Sequence, residues 1–417
     1  MTLETDCAIV GGGIHGTYLA NRLRAETDFD LDPEQLLLID PHEQLLASFR
    51  EKARACGMEA LRSTFVHHLG TEAFGLERFA ERTRREDELI ATVDYPPRPS
   101  LELFLDFADE LLDQSGLESV HEQAQVTGIT NPDATNGLRL ETTGGPIDAT
   151  HCVLAIGHGG RYAVPDWARD WTDSGRITHV WDGFDSEETA DRTIVVGGGI
   201  TAAQLACDLT ATHSVTLLSR HPLEWEVSEA APPWINWHHI EQELHAYPPG
   251  SRERFEIIDR ERNTATIPPY FYQRFSDRIA DGSLTLEQGT VEAVSTGETW
   301  PVRLSLEHGK RLSADRVVLA TGFEPVGGHP FVEQLTTELE CVRGPRGLPV
   351  LDDTTLRWTR ETGEPLPLYV TGALALGAVG PYAPNIPGAR RGADRIIPAI
   401  AGADRSHRAK KIKTASD

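Results

Sequence analysis

The chain is short of lysine, of closely spaced cysteine and of long apolar runs, and each shortage removes a class of function. Only five of its 39 basic residues are lysines (Lys52, Lys310, Lys410, Lys411 and Lys413), against 64 acidic residues and a formal charge of −25. A surface of that sign repels polyanions, so nucleic acid is a poor partner. An excess of Asp and Glu with little Lys suits a salt-rich cytoplasm, where counter-ions screen self-repulsion, and a halophilic, cytoplasmic protein is expected. No run of about 18 apolar residues occurs, which leaves no candidate membrane span. No basic region precedes the first apolar stretch, so no signal peptide is expected. The five cysteines (Cys7, Cys56, Cys152, Cys207 and Cys341) form no Cys-x-x-Cys, and neither a redox disulfide nor a zinc knuckle is signalled. The pairs His67–His68 and His238–His239 lack the i, i+4 spacing of a zinc helix, so no metal is expected.

What the chain does have is glycine in two similar turns. At 417 residues it exceeds one ordinary core, and two domains are the natural prior. Residues 7–23 read "CAIVGGGIHGTYLANRL", and residues 193–209 read "TIVVGGGITAAQLACDL". In each, a buried-strand pattern runs into glycines and then into helical periodicity. The first turn is Gly11-x-Gly13-x-x-Gly16, and the strand "LLLID" that follows ends at Asp40. That is the layout of a dinucleotide-binding βαβ unit. The first glycine permits the sharp turn, the second lets backbone approach a pyrophosphate, and the third lets helix and strand pack closely. Ile14 and His15 open the helix, whose N-terminus favours phosphate. Asp40 is placed to accept hydrogen bonds from a ribose.

The second turn is Gly197-x-Gly199-x-x-Ala202, with Ile200 and Thr201 opening its helix. Here the following strand "SVTLLSR" ends in Ser219 and Arg220 instead of an acid. A carboxylate would repel a 2′-phosphate, whereas serine and arginine can bind one. The first turn therefore suits FAD and the second NADPH, and the two units would hold a hydride acceptor and its donor.

Further fragments fall in the order such an arrangement needs. Val126 begins a strand of the kind that lies beside the FAD adenine. "HCVLAIGHGG" ends in Gly157, where the chain would leave the first unit. "DRVVLATGFEP" ends in Thr321 and Gly322, where it would return. A strand then leads to Gly372, and a glycine-rich turn with Gly380 and Asn385 can deliver backbone N–H groups to a flavin edge. The expected class is α/β with two Rossmann-like domains. Residues 1–165 and 315–405 form an FAD domain, and 166–314 form an NADPH domain inserted in it. Residues 222–282, crowded with Trp, Tyr and Phe, read as a largely helical insertion that covers the active site, shapes a substrate pocket, or forms a dimer contact or satellite core. Residues 406–417 read as a flexible tail.

With these motifs in order, the sequence resembles the two-dinucleotide-binding-domain flavoproteins, and among them the class B flavin monooxygenases, particularly the lysine and ornithine N-hydroxylases. "LRSTFVHHLG" (61–70) is similar to that family's Met-Gln-x-x-Phe-Leu-Lys-Asp-Leu stretch beside flavin and substrate. "YPPRPSLELFLDFADELL" (95–112) is similar to its Pro/Arg segment and helix. "RNTATIPPYFYQRF" (262–275) is similar to its Asn-Tyr-Ser-Val-Val segment, and "LATGF" (319–323) to its Leu-Ala-Thr-Gly-Tyr box. The family Gln falls at Arg62, the carboxylate-holding Lys at His67 and the adjoining Asp at His68. The Asn is kept as Asn263, and the Tyr after it is Thr264. These departures bear on lysine or ornithine as substrate and leave the flavin chemistry in place.

The resemblance implies that NADPH reduces FAD, and that a C4a-(hydro)peroxyflavin formed with O2 inserts one oxygen atom into a small nucleophilic substrate. Arg62, His67 and Asn263 are the candidate catalytic residues. Two other readings stay open: an FAD-dependent NAD(P)H dehydrogenase or oxidase without oxygenation, and a non-catalytic FAD/NAD(P) sensor. A homo-oligomer is possible on any of them.

Overall fold

A computed structural model describes residues 2–26, 35–92, 95–132, 137–186, 188, 190–296 and 301–414, with only the backbone described for 173 and 403–414. Strand β1 (Leu3–Val10) is followed by helix α1 (Ile14–Ala25) and β2 (Leu36–Asp40). After helix α2 (Leu101–Ser115) come β3 (His121–Gln123), β4 (Val126–Thr130), β5 (Leu138–Thr142) and β6 (Ile147–Leu154). A second set follows: β7 (Ile177–His179), β8 (Arg192–Val196), α3 (Ile200–Leu209) and β9 (Ser214–Ser219). Helices α4 (Trp237–Glu243), α5 (Arg252–Glu261) and α6 (Tyr272–Ala280) then lead to β10 (Leu284–Gln288) and β11 (Arg316–Leu319). The chain ends with β12 (Leu368–Val370) and the long helix α7 (Ile386–Thr414).

The first sheet has the order β3-β2-β1-β6-β5-β4, with β12 also on β6. The pairs β1–β2, β1–β6, β2–β3 and β6–β12 are parallel, whereas β4–β5 and β5–β6 are antiparallel. Only residues 124–125 separate β3 from β4, which stand at opposite ends of that order. So short a link cannot cross a flat sheet, and the antiparallel arm must fold back over the parallel strands. The second sheet, β10-β9-β8-β11-β7, is parallel throughout. Both are open α/β sheets whose βαβ units place a helix N-terminus at the strand ends.

Strand β11 corrects one expected boundary. It pairs in register with β8 and with β7, so residues 316–319 belong to the second sheet. The return to the first unit comes after them, at 320–325, and an FAD segment that begins at 315 starts one strand early. The run Val317–Leu319 is apolar on both faces and would suit either sheet, so only pairing decides.

The insertion is largely helical. Trp234, Ile240, Leu244, Ile257 and Ile258 bury one face against Tyr382 of the C-terminal part. Arg254 is fully enclosed and forks onto Asp353 with two bonds of 2.7 Å, which fixes α5 to the first unit. Helix α7 runs through the basic segment read as a flexible tail, as far as Thr414, and residues 415–417 lie outside the described residues. Among the described residues no helix is long and apolar enough to cross a membrane, and no group of His, Cys, Asp and Glu is arranged to hold a metal.

Candidate functional site

The first glycine turn is built to the tolerance of its backbone. A Cβ on Gly16 would lie 1.8 Å from the Gly11 carbonyl oxygen, and one on Gly11, which holds φ +113°, would lie 2.5 Å from the Ala155 oxygen. A Cβ on Gly13 would meet nothing within 4 Å, so the mouth of the turn is open. Helix α1 starts at the Gly13 N-cap with no capping side chain and no acid in its first turn. By contrast α2 is capped by Ser100, whose Oγ accepts from Leu103 N–H at 3.0 Å. An uncapped first turn leaves N–H donors for an anion, and these residues fit a pyrophosphate.

Asp40 closes the cradle. Its Oδ2 accepts from Gly12 N–H at 2.6 Å, and its Oδ1 accepts from His42 N–H at 3.0 Å. The expected ribose ligand thus also pins the turn. Val126 is buried two residues beyond Ala124, whose N–H bonds to the Asp40 carbonyl at 3.0 Å, so it lies beside the end of β2. His15 is buried in the first turn of α1, with Nδ1 3.0 Å from Thr371 Oγ1, beside Gly372. Burial holds its pKa down at about 4, so the ring is neutral near pH 7.

The second turn repeats the first. A Cβ on Gly197 would meet the Ala320 oxygen at the same 2.5 Å, and α3 has Gly199 as its N-cap, again with no capping side chain. Ile14 and Ile200 open the two helices, each partly buried against its own core. Thr201 follows Ile200, and Ala202 is fully buried in the helix-to-strand contact. Ser219 Oγ stands where the Asp40 carboxylate stands, close to Gly198, and donates to the His221 carbonyl at 2.8 Å. Arg220 is exposed beside it. It makes no hydrogen bond or ion pair among the described residues, and its side chain is exposed.

The two crossings between the units run side by side. Tyr162 and Phe323 form an antiparallel bridge, Ala163 N–H bonds to the Gly322 carbonyl at 3.0 Å, and Thr321 Oγ1 donates to the Ala163 carbonyl. Gly157 and Gly322, with φ of 59° and 81°, turn the chain out of β6 and β11. The next residues, His158 and Phe323, stack with centroids 4.3 Å apart, and Trp181 stacks on Phe323 at 4.8 Å. Glycine is needed at both places because an L side chain is strained there.

The insertion reaches from the second cradle to the turn before α7. Ala265, with φ 55°, brings its Cα to 3.3 Å from a Cβ position on Gly199. Three residues earlier, Arg262 Nη1 donates to the Asn385 side-chain oxygen at 3.1 Å and to the Pro381 carbonyl. Asn385 Nδ2 donates in turn to Glu229 at 3.1 Å. Arg62 donates to the Glu226 and Val227 carbonyls and to Thr266 Oγ1, at 2.6, 3.2 and 2.9 Å. Asn263 donates to the Glu229 and Ser228 carbonyls at 2.8 and 3.0 Å.

Of the three candidate catalytic residues, then, Arg62 and Asn263 meet along this seam, both committed to backbone carbonyls. His67 lies apart from them. Burial first, and Arg390 second, hold its pKa at about 4, so it carries no charge for a substrate carboxylate near neutrality. Its neighbour His68 is fully buried, accepts from Gly70 N–H at 2.9 Å and packs edge-on against Phe107. A surface cavity of about 430 Å³ lies near it, but there Arg82 pairs with Glu110 and Arg78 with Glu72, which leaves no spare charge for chemistry. In the turn before α7, the Gly380 and Asn385 N–H groups bond to the Leu376 and Tyr382 carbonyls, at 3.0 and 2.9 Å. Those two donors close the turn itself.

Arg262, Glu229, His158 and Phe323 escaped the reading of the sequence. Arg262 adjoins Asn263 in a segment already singled out. "LAIGH" at 154–158 and "LATGF" at 319–323 are repeats of one another, a signal that places His158 opposite Phe323.

Residues 8–159 match a family described as FAD-NAD(P)-binding. No curated protein matches the chain. The ornithine hydroxylase of Pseudomonas aeruginosa is similar in structure, with a TM-score of 0.75 over 96% of this chain and 99% of that one at 16% identity. The ornithine N-hydroxylase of Kutzneria sp. 744, solved with reduced FAD, NADP+ and L-ornithine, has a TM-score of 0.74 over 96% and 100% at 15% identity. The bacillithiol disulfide reductase of Bacillus cereus has a TM-score of 0.61 over 96% and 99% at 16% identity. The likeness is one of fold, and among these proteins that fold serves more than one reaction.

Proposed function

We propose that the chain is an FAD-dependent, NADPH-oxidising monooxygenase that transfers one oxygen atom from O2 to a small nucleophilic compound in a halophile's cytoplasm. The observation that carries this reading is the seam: residues 262–266 touch Gly199 of one cradle and Pro381 and Asn385 of the other unit. FAD, when bound, supplies acceptance of a hydride from NADPH and the activation of dioxygen.

The chain's own residues bind, orient and exclude water. The uncapped turn at Gly13 holds a pyrophosphate, and Asp40 holds a ribose. Ser219 and the unpaired Arg220 receive the 2′-phosphate that distinguishes NADPH from NADH. Arg62, tied to three oxygens of the insertion, straps the seam shut against solvent. His15 and His158, both held near a pKa of 4 by burial, offer hydrogen bonds without a charge. The domain assignment follows the sheets: residues up to about 155 and from about 325 carry FAD, and those between carry NADPH.

The test is NADPH and O2 consumption by FAD-reconstituted protein in high salt, with products identified by mass. An oxygenated product in proportion to NADPH supports the proposal. Hydrogen peroxide alone makes the chain an oxidase, and a flavin that NADPH does not reduce makes it a nucleotide sensor.

A further inference from the structure

Most arginines in this acidic chain are paired with carboxylates, but three at the seam are not. Arg62 and Arg262 have no carboxylate within 4 Å among the described residues, and neither has Arg98. Arg98 is buried, donates to the Leu61 carbonyl and to Thr92 Oγ1, and lies over the Tyr270 ring. All three belong to one electrostatic neighbourhood: Arg62 acts on Arg262, and both Arg62 and Arg98 act on Tyr270. Among the described residues, Glu229, which is engaged with Asn385, is the carboxylate that acts on Arg262 and Tyr270. The nearby His158 is neutral and offsets nothing.

Arg262 spends only Nη1 on the protein. Its Nε and Nη2 form no hydrogen bond among the described residues, which leaves one edge of the fork available. Partial burial costs the Arg262 guanidinium free energy and presses its pKa down, which Glu229 only partly offsets. An acidic ligand relieves that cost, whereas a cationic one adds to it.

We propose that the seam is a binding site for a small carboxylate-bearing compound of net negative charge, held by the free edge of Arg262 with Arg62 beside it. The compound's role as the oxygen acceptor rests on the monooxygenase reading, and its binding does not. Diamines and other cationic compounds are rejected at the seam by the same guanidinium groups.

Isothermal titration calorimetry on the full chain, with and without FAD and at fixed ionic strength, tests the binding directly. The probes are glutarate, 1,5-diaminopentane and NADPH. Glutarate is expected to bind at least 10-fold more tightly than the diamine. Arg262→Gln is expected to weaken glutarate at least 10-fold while NADPH changes less than 2-fold. Arg252→Gln, on the exposed face of the same insertion, is expected to leave both unchanged. Should Arg262→Gln fail to fold by circular dichroism, Arg262→Lys keeps the charge without the fork and is expected to weaken glutarate by a smaller factor. Equal or tighter diamine binding overturns the proposal. So does an Arg262 variant that loses NADPH while keeping glutarate, which would assign the arginine to a cofactor phosphate. Failure to form an oxygenated product, with glutarate binding intact, removes the monooxygenase reading alone.

Discussion

The two glycine turns are the same device built twice, and they differ in what stands around them. Gly11 N–H bonds to the Ile39 carbonyl at 2.8 Å, and Gly197 N–H to the Leu218 carbonyl at 3.0 Å. Ala155 and Ala320 bond back to Val10 and Val196, each at 2.8 Å, and each puts its own oxygen against the first glycine of its turn. The backbone device is therefore constant. At the next strand end a carboxylate grips Gly12 N–H in one unit, while in the other a serine hydroxyl turns away to His221. Over the open side, Gly13 faces nothing within 4 Å, whereas Gly199 is roofed by Ala265. On the proposed reading, one side chain and one inserted loop are what distinguish a cradle for FAD from one for NADPH.

The sharpest way to break the comparison is at the third small residue. Gly16→Ala places a Cβ on the Gly11 carbonyl, and a loss of about 3 kcal/mol or more, or no folded protein, is expected in urea unfolding. Ala202→Gly in the other turn should cost only about 1 kcal/mol, the propensity difference in a helix. Equal costs would mean that the third position is no tighter in the first turn than in the second. Next come the strand ends. Arg220→Gln should raise the KM for NADPH about 10- to 100-fold and leave that for NADH unchanged, as loss of a charged hydrogen bond implies. Asp40→Asn should instead weaken FAD about 10-fold and leave NADPH untouched.

A third comparison sets one unit against the other in acid. Burial lowers His15, His67 and His68 in the first unit, His158 where the chain leaves it, and His179 in the second, to about 4. Because these folded values lie below the ordinary 6.5, the unfolded chain binds more protons between pH 6.5 and 4. Stability is full above 6.5 and falls through that window, by on the order of 1–3 kcal/mol per histidine at its lower end. Hydrogen exchange should show the first unit opening before the second as pH drops, and the reverse order would contradict the burial of the first unit's rings. The smallest effect belongs to the roof. Ala265→Gly relieves a φ of 55° and should stabilise by no more than about 1 kcal/mol, read in thermal unfolding.

Both cradles were legible because each is written in about 35 contiguous residues, within which glycine spacing, apolar runs and the strand-end residue are set by local backbone sterics. The same locality misled over Arg316–Leu319, whose apolar run suits either sheet until pairing with β8 and β7 assigns it. His67 is a related case. A histidine on an apolar stretch has its charge set by its burial and by Arg390, 323 positions along the chain, and neither is visible in the pattern around it.

From the residues alone came the two nucleotide-binding turns, their order, the opposite signs at the strand ends and the shortage of lysine and paired cysteine. Those follow from neighbours in the chain and from composition. Folding alone assigned the seam, where Arg62 reaches Val227, Arg262 reaches Asn385, Arg254 grips Asp353 and His158 stacks on Phe323. Partners 99 or more positions apart meet only when sheets and helices have packed, because the free energy of each contact depends on burial and on which charges are left unpaired there.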